Sequence, residues 1–407
     1  MITTDIEDRF MNLPRFIQIH TLHNYPGALL NRDDAGLAKR LPYGDAIRTR
    51  ISSQCLKRHW RVAEDHFSLN KLGVPMAIRS RVTLDLIRKE VEAQGVSAEL
   101  AQAAGEGLRA GGLLDKPKDL KGKEALETGQ AVLLGRAEID YMVKRCTELA
   151  QQHVDEKSLK AAIAKFLKDE KKNIEELRHG SGLEAALFGR MVTSDVLANR
   201  DAAIYVAHAF TVHEAQVEND YFTVVDDLLR EAGEQSSAGI FDTELASGLY
   251  YGYVVVDVPQ LIANLEGEKA ENWATLPADK RALAGRVVQH LLHLIATVSP
   301  GAKRGSTAPF DWAKFLLVEV GDWQPRSLAG AFQNALSLQE PAIREAAVQK
   351  LADEIGKLDN AYGATLDRRF LALDEVAVPG AQRLPLAALA EWAQAYVTQG
   401  AAPTQGA

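Results

Sequence analysis

Cysteine is scarce in this chain: Cys55 and Cys146 are the only two in 407 residues. Thiols so far apart supply neither a metal-ligand pair nor a disulfide framework, which fits a reducing compartment. Long apolar runs are missing as well. The most apolar helical stretch, VVQHLLHLIATV, is interrupted by His290 and His293 and is too short to span a bilayer. The segment MITTDIEDRF carries acids and no apolar core, so a signal peptide is not expected. The expected location is the cytoplasm, with no membrane partner. Enzymatic signatures are absent too. There is no G-x-S-x-G elbow and no phosphate-binding G-x-x-x-x-G-K-[ST] loop. His213–Glu214 begins like H-E-x-x-H, but Val217 holds the second histidine position. His208 and His213 are five apart, poor spacing for one helix face, and each reads as a structural histidine. Gly105, Gly107 and Ala110 satisfy G-x-G-x-x-A, yet helical sequence surrounds them and no strand precedes them, so no dinucleotide site is expected.

What remains is an ordinary globular composition, 46% apolar and 25% charged, and a length sufficient for two or three domains. The net charge is −8, unpromising for nucleic acid, but its distribution is uneven. From Arg15 to Arg61, nine Lys/Arg face three Asp/Glu. A basic segment on an acidic body binds a polyanion locally; a solvated face accounts for the same count.

Alternation in PRFIQIHTLH predicts a strand. A long loop rich in Gly, Pro, Asn and Asp follows, then a short strand IRTRI and a helix opening at Ser52 or Ser53, either of which can cap it. From about Ser80 to Arg178 apolar residues recur at helical spacing. Mixed signals run from His213 to Leu249. Strand patterns return in GLYYGYVVVDV and FLLVEVGDW, with an amphipathic helix between them. The order predicts an α+β core with insertions.

Four segments carry candidate chemistry. In the helix after Ser53, Gln54, Lys57, Arg58 and Arg61 share one face, while Leu56, Trp60, Ala63 and Phe67 line another. The helix start attracts phosphate, and Ser52 adds a hydroxyl. Such a face reads backbone rather than bases; an exposed helix with solvated cations is the competing reading. In LLNRDD, Asn31 and Arg32 hold a phosphate or cap a turn, and Asp33 and Asp34 bind a metal or punctuate the turn. In the helix expected over Ser158 to Arg178, Lys157, Lys160, Lys165 and Lys168 form a stripe that tracks a nucleic acid or simply faces water. In SPGAKRGS, Lys303 and Arg304 sit in a Gly-rich turn able to approach phosphate.

The blocks FIQIHTLHNYPGALLNRDD, RTRISSQCLKRHWR, ALFGRMVTS, AHAFTVHEAQVENDYFTVVDDL, ASGLYYGYVVVDVPQL and SPGAKRGSTAPF, in that order, resemble the CasC backbone subunit of type I-E CRISPR Cascade across most of the chain. The resemblance implies a modified RNA-recognition (ferredoxin-like) palm over residues 14–75 and 251–395. It also implies a large helical insertion (fingers) over 76–205, an extended thumb at 206–250, and a disordered tail at 396–407. It implies a non-catalytic ribonucleoprotein subunit without cofactor. Its partners are crRNA, further copies of itself in a helical filament, other Cascade subunits, and target DNA paired to the guide in an R-loop for antiviral defence.

By position, Asn31, Arg32, Ser52, Gln54, Lys57, Arg58 and Arg61 would contact crRNA phosphates, with Lys303 and Arg304 as additions. Met191 would pack on bases, and Ile240 would wedge a base out of the stack. The lysine stripe is the candidate contact for target DNA. Lys39 and Arg40 fall in a poorly matching loop, 35–47. RFIQIHTLH lacks the aromatic signature of ordinary RNA-recognition modules, which favours backbone clamping over base stacking. The competing reading is a metal-dependent RNase subunit using Asp33 and Asp34, since related type III subunits cut RNA with an aspartate after the first strand.

Overall fold

The computed structural model describes residues 13–114, 126–129, 131–170, 182–190, 199–225, 237–363 and 366–400. Strand β1 (Phe16–Ala28) precedes a hairpin of β2 (Arg40–Tyr43) and β3 (Ala46–Ile51), which runs into helix α1 (Ser53–Arg61). Next come β4 (Ile78–Ser80), α2 (Thr83–Ala93), α3 (Ala98–Ala110), β5 (Val132–Leu134), α4 (Arg136–Gln152), α5 (Glu156–Asp169) and α6 (Leu183–Phe188). Short strands β6 (Ile204–Val206) and β7 (Ala209–Thr211) lead to two long ones, β8 (Gln216–Val225) and β9 (Ser237–Asp257). The chain continues through α7 (Val258–Glu266), α8 (Ala278–Thr297), the single turn α9 (Arg304–Thr307) and β10 (Phe315–Gly321). It ends with α10 (Ile343–Tyr362), β11 (Asp367–Ala372), β12 (Ala381–Arg383) and α11 (Leu386–Gln399). The fold is α+β, with a modified ferredoxin-like palm sheet.

Two compact units divide the chain: Met1–Ser68 with Tyr205–Val258 and Ala284–Ala407, and Leu69–Ile204 with Pro259–Leu283. In the first, the strands run in the order β12-β11-β10-β1-β9-β7-β3-β2. β1 lies between β9 and β10, antiparallel to both. Its polar positions are as buried as its apolar ones, from Phe16 to Leu22, because both faces of the sheet are covered. Leu22 joins the cluster of Ala347, Val348, Leu351 and Ile355 from α10. On the other face Tyr25, Ile51, Ala209 and Tyr250 pack beneath Cys55 and Leu56 of α1.

Burying polar side chains requires partners. Gln18 accepts from the Tyr253 hydroxyl and the Arg326 amide, both at 2.8 Å. His20 bonds Tyr251 at 2.9 Å and Glu319 at 3.1 Å. Arg368 Nε and Arg326 also donate to the fully buried Glu319, at 2.7 and 2.8 Å to its Oε1. Burial opposes the Glu319 charge, yet the bonds from Arg326 and His20 hold its carboxyl well below the usual range.

The segment expected as one long loop after β1 is strand at both ends, with a loop left over 29–39: β1 runs on to Ala28, and β2 pairs with β3. Its turn depends on Gly44, at φ +63°, where an added Cβ would lie 1.6 Å from the Gln333 carbonyl oxygen. The mixed-signal region is a ribbon in which β8 pairs with the first half of β9, from Gln216↔Ser247 to Val225↔Ser237. The described β8 side chains, Gln216 to Phe222, are exposed. Alternation there is weak because a ribbon standing off the sheet has no buried face to encode.

The second unit holds the helical block. Leu84, Ile87 and Val91 of α2 pack with Ala101, Ala104 and Leu108 of α3, Ile139, Met142 and Cys146 of α4, and Leu159, Ile163 and Phe166 of α5. A Cβ on Gly107 would sit 3.2 Å from that of Ile163, so the G-x-G-x-x-A match serves close packing of α3 on α5. Two corrections concern ends. The lysine-bearing helix starts at Glu156, capped by the Asp155 side chain, and is followed to Asp169; residues 171–181 lie outside those described. At the C-terminus, residues 396–399, expected as tail, belong to α11.

Candidate nucleic-acid interface

Ser52, not Ser53, caps α1: its Oγ accepts from the Cys55 amide at 3.3 Å. The Ser52 amide in turn donates to Asn31 Oδ1 at 2.9 Å, so Asn31 secures the helix start instead of capping its own turn. No acid lies in the first turn, and Arg58, His59 and Arg61 occupy the last. The N-terminal end of the dipole therefore has no first-turn carboxylate to neutralise it, although Ser52 itself is buried. Gln54 and Arg58 are exposed; Lys57 and Arg61 are half-buried. Burial lowers the Lys57 pKa, a shift that a bound phosphate would reverse.

The packing face is shorter than the sequence predicts. Trp60 is buried and Leu56 joins the core, but the helix ends at Arg61. Ala63 and Phe67 lie beyond it, and Phe67 stacks on His293 at 3.5 Å between centroids. His59, to which no role was assigned, ties α1 to the SPGAKRGS loop. Its Nδ1 meets the Cys55 carbonyl at 2.8 Å and its Nε2 accepts from the Gly301 amide at 3.3 Å. Burial above all, and then the charges of Arg304 on the loop and Arg58 on the helix, lower the His59 pKa. A histidine one helical turn after a cysteine, Cys55 and His59, is the only trace of this tie in the sequence.

The loop itself works differently from the expected Gly-rich phosphate turn. Gly301 is small because a Cβ there would meet Pro309 at 2.5 Å, and the left-handed residue is Lys303, at φ +49°. Lys303 Nζ donates to the Thr243 hydroxyl and lies 5.3 Å from the Phe222 ring centre, which commits it to the β8–β9 ribbon. Arg304 is exposed at the start of α9.

Arg32 is exposed and bridges Ala38 through the backbone. Asp33 Oδ1 accepts from the amides of Ala35 and Leu37 at 2.9 and 3.0 Å, which makes it a turn residue; Asp34 is exposed. Among the described residues no three His, Cys, Asp or Glu side chains gather into a metal-holding group. Of the nine cations counted between Arg15 and Arg61, Arg48 is fully buried, donating to the carbonyls of Phe332 and Thr211 at 2.9 and 3.2 Å. Arg40 is paired with Glu244.

On α5, Lys157, Lys165 and Lys168 are exposed. Lys160 is bound to Glu106 at 2.5 Å, which removes it from a free stripe. Met191 lies outside the described residues. Ile240 stands opposite Thr223 in the ribbon register; its side chain is not among those described. No helix of the described residues is long and apolar enough to cross a membrane.

A palm sheet backed by helices, with a capped basic helix on one face, is the class of protein this architecture defines. The family model of the CT1975-like protein matches residues 17–395, so the chain belongs to the CT1975-like family. Among solved structures, it is similar to a chain of a "CRISPR RNA-guided surveillance complex, pre-nicking". That match has 27% identity and a TM-score of 0.75, covering 94% of this chain and all of the other. A second chain, from a "CRISPR RNA-guided surveillance complex", shares the fold at 23% identity and a TM-score of 0.63, covering 92% of this chain and 99% of that one. A search of curated proteins finds no match.

Proposed function

We propose that this chain is the crRNA-binding backbone subunit, of the CasC type, in a type I-E Cascade surveillance complex. The observation that carries the reading is α1. Its N-terminus is capped by Ser52 and steadied by Asn31, its first turn holds no acid, and His59 ties the helix that carries Arg58 to the loop that carries Arg304. Phosphate oxygens would meet helix-start amides and the Ser52 hydroxyl, while Lys57, Arg58, Arg61 and Arg304 supply charge. Gln54 and Arg32 would add donors, and Lys303 would act through the ribbon it holds. Contacts of this kind fix a strand without reading its sequence, as a protein must if it is to carry any guide. The likeness to a surveillance-complex chain over nearly the whole length supports the same reading.

The subunit stacks with further copies of itself along the guide, beside other Cascade subunits, and presents the guide for pairing with target DNA. Ile240 on the ribbon and Met191 would interrupt stacking of the guide, and the exposed lysines of α5 would face target DNA. The role is non-catalytic and cytoplasmic.

The test is co-expression of the chain with a guide RNA and its partner subunits. Nuclease-protected RNA of uniform length in the purified particle is the expected result. A particle without RNA refutes the proposal. So does divalent-metal cleavage of complementary RNA that is lost in Asp33→Ala or Asp34→Ala, which is the RNase outcome.

A further inference from the structure

The β2–β3 hairpin and the segment before it carry four cations: Lys39, Arg40, Arg48 and Arg50. Two are spent internally, Arg40 on Glu244 and Arg48 on buried carbonyls. Lys39 and Arg50 form no ion pair with any described carboxylate, although backbone bonds hold both in place. The Lys39 amide donates to the Asn31 carbonyl at 3.0 Å, and the Lys39 carbonyl accepts from the Arg50 amide at 2.8 Å. Asn31 is the residue that steadies the start of α1, so this ladder runs directly from the helix cap to Arg50.

Arg50 reaches across to the exposed His208, on the segment before β7, with its Nη1 3.0 Å from His208 Nδ1. A guanidinium only donates, so Nδ1 must be the acceptor and the ring proton sits on Nε2. Partial burial and then the Arg50 and Lys39 charges lower the His208 pKa, in keeping with a neutral ring. Its Nε2–H has no partner among the described residues. Lys39 also acts on Cys55 in the first half of α1, together with Arg58. Two cations and one oriented neutral donor thus sit together beside α1; the nearby Glu244 is taken by Arg40 and the Ala38 amide, and neither Lys39 nor Arg50 is ion-paired to a described carboxylate. A guanidinium fastened to an exposed imidazole, at the cost of ordering both side chains, is poorly explained as a solvated edge.

We infer that Lys39, Arg50 and His208 form a second phosphate-binding subsite for the RNA backbone, continuing the α1 surface along the sheet edge. This rests on the function proposed above and extends it. Lys39 and Arg50 carry the charge, and His208, aligned by Arg50, donates from Nε2 to a phosphate oxygen.

The experiment titrates the full-length chain with fluorescein-labelled single-stranded RNA of arbitrary sequence at several salt concentrations. Lys39→Gln and Arg50→Gln should each weaken binding and reduce the slope of log K against log salt by about 0.7, the contribution of one single-strand phosphate. His208→Ala should weaken binding about tenfold at neutral pH with the slope unchanged, because a neutral donor displaces no counterion. Arg50→Lys, which keeps charge but loses the imidazole bond, should retain the slope and lose affinity. Thermal melting checks the fold of each variant, and the half-buried Lys39 and exposed His208 sites decide the matter if Arg50 variants melt early. If Lys39→Gln and His208→Ala bind like the parent while Arg58→Gln and Arg61→Gln flatten the slope, the subsite is refuted and the α1 reading stands. If the parent itself holds no RNA, both fall.

Discussion

Replacing Glu319 by Gln keeps the shape of the side chain and deletes one charge beneath the palm sheet. Glu319 is wholly buried, and its partners are His20, Arg326 and Arg368. Arg368 keeps a second carboxylate, with bonds of 2.6 and 2.8 Å to Asp359, so most of the loss falls on Arg326. Breaking a buried pair from one side costs about 3–5 kcal/mol, and the surviving Asp359 contact places this change near the lower end. A loss of about 3 kcal/mol is a large part of the roughly 5–15 kcal/mol that holds a typical domain together.

The chain has two units, so one unfolding midpoint will not report on the palm alone. Amide hydrogen exchange in β1, β10 and β11 does. Those amides should exchange about a hundredfold faster in Glu319→Gln, with little change in α2 to α5. Rates within about threefold of the parent throughout β1 and β10 would show that the network is not a source of palm stability. The pH dependence has a definite sign. The folded carboxyl is held below its unfolded value, so its contribution is present above the unfolded pKa and is lost as pH falls toward the folded one. The difference between parent and variant should therefore persist through neutral pH and shrink only in acid.

Ser52→Ala should destabilise α1 by about 1 kcal/mol and weaken RNA binding, whereas Ser53→Ala should leave stability within about 0.5 kcal/mol; amide exchange in α1 checks this. Arg58→Gln and Arg61→Gln should each lower the salt slope of RNA binding by about 0.7, equally for unrelated sequences; a loss confined to one sequence would contradict backbone contact. Gly44→Ala should destabilise the β2–β3 hairpin by more than about 1 kcal/mol, since both the left-handed backbone and the Gln333 carbonyl oppose a side chain; amide exchange in β2 and β3 measures it. If the α5 stripe meets target DNA, Lys165→Ala and Lys168→Ala should weaken target binding more than Lys160→Ala, whose ammonium is held by Glu106.

Local rules account for much of what the residue order predicts. The strand in PRFIQIHTLH, the serine-led helix with Gln54, Lys57, Arg58 and Arg61 on one side, and the four-helix block follow from periodicity and capping, which neighbouring residues settle among themselves. The α+β class and the ordered motif blocks were legible for the same reason, because motifs keep their spacing whatever the tertiary setting.

Charge was misread where its meaning depends on distant partners. Nothing in R-T-R distinguishes Arg48, sunk against the Phe332 carbonyl, from Arg50, held out toward His208. Lys160 looks like Lys165 until Glu106 arrives from another helix, whereas Asp33 keeps the turn role open to it in the sequence, closing on two amides. The G-x-G-x-x-A match likewise takes its purpose from an atom on another helix, Ile163, while the glycine of SPGAKRGS is fixed by Pro309 close by in the chain. The sequence determined which segments become helix or strand and which faces are basic, because those preferences act over a few residues. The tertiary structure alone decided which charges are already neutralised and which remain available, because an ion pair depends on separation in space, and Arg40 meets Glu244, 204 positions away, only when the sheet forms.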